Sequence, residues 1–151
     1  MMSSSSFPPP LRTMDDSILR AVGVNTKPHI LHTKWHMWYH NPSERDYSKS
    51  SFVDLFQKPI ESLEELILLF NSWDTSLPDA GSGMFYLMRE LPSGAIYPCR
   101  EDPHNQNGGY WTSKIPTENA MEVWKKLCFL MVNETVVENW QSINGVSITP
   151  K

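Results

Sequence analysis

The sequence predicts an α+β fold, an antiparallel sheet with helices on one face, and three features predict it. Leu31 to His40 alternates at period two, with Leu31, Thr33, Trp35, Met37 and Tyr39 on one face and His32, Lys34, His36, Trp38 and His40 on the other. Two stretches at helical spacing begin near Ser62 and Thr117, and short aromatic runs bounded by Pro and Gly lie between and after them. Strand, helix, strands, helix, strand, with no internal repeat, packs as one sheet backed by its helices. A length of 151 residues favours one domain and suffices for a real core.

Residues 1–25 begin Met-Met-Ser-Ser-Ser-Ser-Phe-Pro-Pro-Pro and hold few apolar groups, so they read as a disordered tail before a domain over 26–151. The first strand is rich in rings, which suits a pleated surface. Residues 41–58 carry Asn-Pro, Ser-Glu-Arg-Asp and Ser-Lys-Ser-Ser and read as a loop, with Tyr47 and Phe52 in it. Ser62-Leu63-Glu64-Glu65 is a capping box, and Leu63, Leu66, Ile67 and Phe70 continue it as an amphipathic helix to about Trp73. Met84 to Met88 is a strand, Pro92-Ser93-Gly94 a turn, and Ala95-Ile96-Tyr97 a strand that stops at Pro98. Gly108-Gly109-Tyr110-Trp111 opens the next strand. Thr117 begins a second helix with Ala120, Met121, Trp124, Leu127, Cys128 and Met131 on one apolar stripe, a docking face for the sheet. Ile143 to Thr149 alternates as a final strand.

Composition narrows the function. Hydrophobic residues make up 40% and charged residues 20%, ordinary for a globular chain. A net charge of −4 gives the whole molecule no attraction to phosphate, so any nucleic-acid site must be a local patch. Cys99 and Cys128 are too few for a disulfide framework and suit a reducing compartment. No apolar run is long enough to span a bilayer, and the polar start lacks the order of a signal peptide. The glycosylation match at Asn133-Glu134-Thr135 is then empty, and a cytoplasmic or nuclear protein without membrane attachment is expected. His32, His36 and His40 would share a metal only on a helix, where the pattern says strand, so no metal or other cofactor is expected. No phosphate-cradling loop, Gly-x-Ser-x-Gly elbow or His-Glu-x-x-His is present, and the adjacent carboxylates of Glu101 and Asp102 make a poor acid–base pair. An enzyme is not expected.

The order of segments is more specific. His29-Ile30-Leu31 followed by Trp35-His36-Met37-Trp38-Tyr39, then Leu63-Glu64-Glu65-Leu66-Ile67, come first. Gly94 to Asp102, Asn105, Gly108-Gly109-Tyr110-Trp111, Trp124 to Glu134 and Ile143-Asn144-Gly145-Val146 complete the series. Over about residues 29–151 this series resembles the eukaryotic translation initiation factor 4E family. The resemblance implies a curved antiparallel sheet backed by helices on one face, here without that family's last helix and strands. It implies a translation factor that binds the 7-methylguanosine cap of messenger RNA. Methylation makes the base a cation, which stacks between electron-rich rings, while a carboxylate accepts its N1–H and 2-amino group and basic side chains hold the triphosphate.

By that resemblance Glu101 is the carboxylate, and Arg100 falls where the family has its second stacking tryptophan. Arginine stacks on a neutral base but repels a cationic one, so atypical or weakened cap affinity is implied. Phe52 is the first stacking ring, with Tyr47 the alternative, and Lys151 falls on a phosphate-binding arginine. On the opposite side, the family binds scaffold and repressor proteins through a helix with a Tyr-x-x-x-x-Leu motif. His29, Leu31 and Leu63 match that surface, whereas Ile67 replaces a tryptophan and Lys126 reverses a charge, so such partners are expected to bind weakly. The alternative is a family member without cap binding that acts as a protein-interaction module or translational regulator.

Overall fold

The alternation read from Leu31 to His40 produces the longest strand, β1 (Ile30–His40). Trp35, Met37 and Tyr39 point to the helical side and His36, Trp38 and His40 to the other, and all six are buried. These positions come from a computed structural model that describes residues 27–151, so the predicted tail lies outside the described residues. Against one side of β1 run β2 (Val53–Asp54) and β3 (Ile60–Ser62), both antiparallel. Against the other runs β4 (Met84–Leu91), in register from Trp35 opposite Arg89 to His40 opposite Met84. β5 (Gly94–Ala95) and β6 (Gly145–Ile148) both pair antiparallel with β4, which completes a curved six-stranded sheet.

Two glycines permit this layout. Gly94 closes the β4–β5 hairpin at φ +127°, a conformation that costs a side-chain-bearing residue strain. At Gly145 an added Cβ would lie 2.3 Å from the carbonyl oxygen of Leu87, so only glycine lets β6 close on β4.

The capping box forms as the sequence predicts. Ser62 Oγ accepts the Glu65 N–H at 3.3 Å and Glu65 Oε2 accepts the Ser62 N–H at 3.2 Å, which starts α1 (Leu63–Asn71). The helix does not continue unbroken to Trp73. Ser72 Oγ donates back to the carbonyls of Leu68 and Leu69, and a separate one-turn α2 (Trp73–Ser76) follows. α3 (Ala120–Val132) begins after a 3₁₀ turn at Thr117–Asn119 and buries Ala120, Trp124, Cys128 and Met131. Between these helices and the sheet, Trp35, Met37, Phe85 and Leu87 pack with Leu66, Leu69, Trp73 and Trp124. No helix among the described residues is long and apolar enough to cross a membrane.

Two strand predictions need correction. β5 stops at Ala95, because Pro98 has no N–H with which to extend the ladder and the chain turns away after Ile96 bonds to the Arg89 carbonyl. Tyr110 and Trp111 form no strand and are 90% and 103% exposed. A strand needs a neighbour to take its backbone groups, and no described strand pairs with them.

Arg89, which no local sequence pattern marks, ties the sheet to the segment after α3. Its guanidinium donates to Thr33 Oγ1, to the Ile143 and Trp140 carbonyls and to Glu134, and it lies over the rings of Trp35 and Trp140. Both charged side chains are almost wholly buried, at 3% and 6% exposure. Replacing the cation leaves a carboxylate without water or partner. Arg89→Leu is expected to lower unfolding free energy by about 3–5 kcal/mol in urea denaturation. A loss below about 1 kcal/mol would show that the pair is not structural.

Candidate nucleic-acid interface

On the face opposite the helices, the even-numbered residues of β1 support a second, smaller cluster. Trp38, Phe52, Met88, Ile96 and Cys99 are its buried members, with Tyr86 and Tyr97 packed against it. Two loops cover this face, residues 41–52 after β1 and residues 96–109 after β5.

The first loop winds round His40. Its Nε2–H donates to the Asp46 carbonyl at 2.7 Å, since a carbonyl only accepts, and Tyr47 stacks on the imidazole at 4.3 Å and 7°. The N–H and hydroxyl of Ser48 both donate to Asp46 and hold that carboxyl below its usual range. Lys49 then reaches across the gap and places Nζ 4.0 Å above the ring of Tyr97, joining the two loops.

Phe52, the first choice for a stacking ring, is not available for one. It is 7% exposed, set against His40 at 4.9 Å and edge-on to Tyr86 at 5.5 Å, because the chain enters β2 here and turns this ring inward. Tyr47, the alternative, is 48% exposed.

The second loop is tied to itself. Asp102 accepts the N–H groups of Tyr97 and His104 and the His104 ring, and Asn105 Nδ2 donates to the carbonyls of Tyr97 and Cys99. Burial alone would raise the Asp102 pKa, but those donors outweigh it and hold the carboxyl below its ordinary value. Asn144, just before β6, donates to the His104 carbonyl and Asn105 Oδ1 and pins the loop to the sheet. Arg100 and Glu101 stand exposed on this braced turn, and no ion pair engages either among the described residues. Lys151 is also exposed. With Ile148 opposite Phe85, the chain leaves β6 at the end of the sheet where His40 faces Met84, and Tyr47 Oη lies 4.0 Å from Met84 Sδ.

Beneath the loops His36 is gripped on both sides, with Nδ1 2.6 Å from Asp54 Oδ2 and Nε2 2.6 Å from Glu90 Oε2. His32 instead lies edge-on to Trp140 at 5.1 Å, so the three histidines of β1 have separate roles. Neither the grip on His36 nor the pedestal at His40 is evident from the sequence. The signal for them lies in the ring-rich even positions, which ask for a second covering layer.

The expected partner surface lies on the outer side. His29 is held by Glu64 through its ring at 2.6 Å and its N–H at 2.9 Å, and its carbonyl accepts the Leu63 N–H. Leu31 and Leu63 are half-buried against the helix-side core, while Ile67 is 40% exposed. Lys126 pairs with Glu122 one turn away at 2.7 Å, beside a groove on α3 lined by Lys125, Phe129, Leu130 and Asn133.

For His36, burial disfavours the imidazolium, but the bonds to Asp54 and Glu90 outweigh it and raise the pKa above its ordinary value. A raised histidine stabilises fully below the unfolded value and loses that contribution as pH rises through the folded one. His36→Gln is therefore expected to cost more stability at about pH 6 than at about pH 9, read from urea midpoints. Equal losses at both would show that the imidazolium contributes nothing.

The family model described as eukaryotic initiation factor 4E matches residues 30–151. Eukaryotic translation initiation factor 4E-2 of Schizosaccharomyces pombe is 29% identical over 136 residues, 85% of this chain and 53% of that protein. Eukaryotic translation initiation factor 4E of Candida glabrata is 30% identical over 128 residues, covering 78% and 56%. The chain thus spans about half the length of these relatives. Among solved structures, a complex of C. elegans eIF4E-3 with the 4E-binding protein Mextli and cap analog superposes at a TM-score of 0.68. It shares 22% identity and covers 83% of this chain and 69% of that one. An Ascaris suum eIF4E-3 complex with m7G cap superposes at 0.66, with 20% identity.

Proposed function

Because the chain belongs to the eukaryotic initiation factor 4E family, we propose that it binds the 7-methylguanosine cap of messenger RNA and acts in translation in the cytoplasm, without catalysing a reaction. The observation that carries this reading is the turn at residues 96–105, braced by Asp102, Asn105 and Asn144, which holds the Glu101 carboxylate exposed and free of any described ion pair. Glu101 accepts the N1–H and 2-amino group of the base. Tyr47 supplies the stacking face in place of the buried Phe52, and Lys49 and the exposed Lys151 supply cations for phosphate.

Arg100 sets the preference. A guanidinium stacks on a neutral purine, but beside a methylated, cationic one it adds repulsion where an indole would attract. The cap is therefore bound with weaker discrimination between methylated and unmethylated guanine than a two-indole sandwich gives. A second reading, a protein-interaction module without cap binding, is favoured by that same cation, by the exposed Ile67 and by the groove at Phe129 and Leu130.

Calorimetric titration with 7-methylguanosine triphosphate separates the two. Glu101→Ala is expected to weaken binding about tenfold or more, since it removes a charge-assisted bidentate contact. Arg100→Trp is expected to raise the preference for the methylated base. A folded protein that captures no cap analogue sinks the first reading and leaves the second.

On the outer surface, Ile67 keeps apolar contact but offers no indole donor, and Lys126 presents a positive charge. A Tyr-x-x-x-x-Leu peptide is expected to bind more weakly than about 1 μM in fluorescence polarisation, and Ile67→Trp is expected to tighten it. Micromolar or tighter binding by the unaltered chain would show that Ile67 is tolerated.

A further inference from the structure

We infer that His40 is a positioning residue for the base site, a buried imidazole that holds the ring of Tyr47 flat with one face open to a ligand. The inference rests on Tyr47 being the stacking ring proposed above, and it adds what makes that ring competent.

His40 is the last residue of β1, fully buried, and its backbone is fixed by pairing with Met84. Its ring plane is set at a second point, because Nε2–H donates to the Asp46 carbonyl at 2.7 Å. Phe52 leans on the imidazole at 4.9 Å and 49° and closes another side. A ring held by strand, loop carbonyl and core has little freedom to turn. Tyr47 lies parallel to it, 7° out of plane at a centroid distance of 4.3 Å. Such a stack covers one face of the phenol. Since Tyr47 remains 48% exposed, the opposite face is the one left to solvent. Its only other described hold is a long contact from Oη to Met84 Sδ at 4.0 Å.

An exposed aromatic on a polar loop would otherwise sample several rotamers, and a base would have to order it on binding. Stacking on a fixed imidazole does that ordering in advance. Nε2 fixes the loop through its bond to the Asp46 carbonyl, and the face of the ring fixes the tyrosine.

Two substitutions separate these contributions. His40→Gln keeps an N–H donor for the Asp46 carbonyl and removes the ring; His40→Phe keeps the ring and removes the donor. Each is titrated with 7-methylguanosine triphosphate and with GTP. Each is also labelled with 3-fluorotyrosine, the resonance of position 47 being assigned by its loss in Tyr47→Phe. The Gln variant is expected to lose about tenfold in affinity and to move the fluorine resonance to that of a solvent-exposed tyrosine, with unchanged far-ultraviolet dichroism. The Phe variant is expected to stay within about threefold of the parent and to leave the resonance in place. A Gln variant that keeps both, or a Phe variant that loses both, overturns the inference. Should Tyr47→Ala bind as the parent does, or the parent bind neither nucleotide, the base-binding reading fails by itself. The fluorine measurement then still decides whether His40 positions the ring.

Discussion

Everything built on this sheet depends on burying the C-terminal half of β1 on both sides. From Trp35 to His40 no side chain reaches water freely, although the strand alternates strictly between two faces. One face is satisfied by the apolar sides of α1, α2 and α3. The other has no helix and is covered by two loops whose own rings and polar groups become the cluster around Trp38. Loops that must cover apolar surface cannot be loose. They are braced by side chains such as Asp102 and Asn105, whose hydrogen bonds close the turn, and by His40, round which the preceding loop folds. The same bracing that protects the core displays Glu101 and Tyr47 outward.

Buried charge is used where register and attachment have to be set. Arg89 lies on the helical face among rings, an expensive place for a cation, and every hydrogen bond of its guanidinium joins elements distant in sequence. His36 does the same on the opposite face by clasping β2 and β4 to β1. Apolar residues in these places could be as stabilising, but they would not penalise a shifted strand. Displacing β4 by one residue would strand the guanidinium among the loops and leave Glu134 unpaired. These pairs therefore penalise a shifted register, whatever their net contribution to stability.

Two of the departures from the family pattern share an electrostatic theme. Arg100 and Lys126 are both cations where the resemblance implies an indole and a carboxylate. At the proposed base site a cation opposes a positively charged base and tolerates a neutral one. On the outer face, Lys126 balances Glu122 within the helix and leaves Lys125 exposed beside the apolar groove. Neither change disturbs the core, because both residues are exposed. Ligand preference can therefore shift while the fold is retained.

Period-two alternation, the capping box at Ser62 and the stripe on α3 made the sheet, the helices and the faces they bury legible in the sequence alone, since each is a local pattern with a local physical cause. Glu101 and the outer surface at Leu31, Leu63 and Ile67 were singled out by resemblance, and the structure shows Glu101 and Ile67 exposed and Leu31 and Leu63 half-buried. What required the tertiary structure was every question of which neighbour a side chain meets. Phe52 and Tyr47 are similar rings five residues apart in one loop, and nothing local distinguishes the one turned into the core from the one turned out. Tyr110 and Trp111 spell a strand but form none, because a ladder needs a partner that local pattern cannot supply. Arg89 and His36 are ordinary polar positions in the sequence, and only partners of their side chains 18 to 56 residues away enclose them. Alternation and capping are properties of a segment, whereas burial and pairing are properties of a place, and only the folded chain has places.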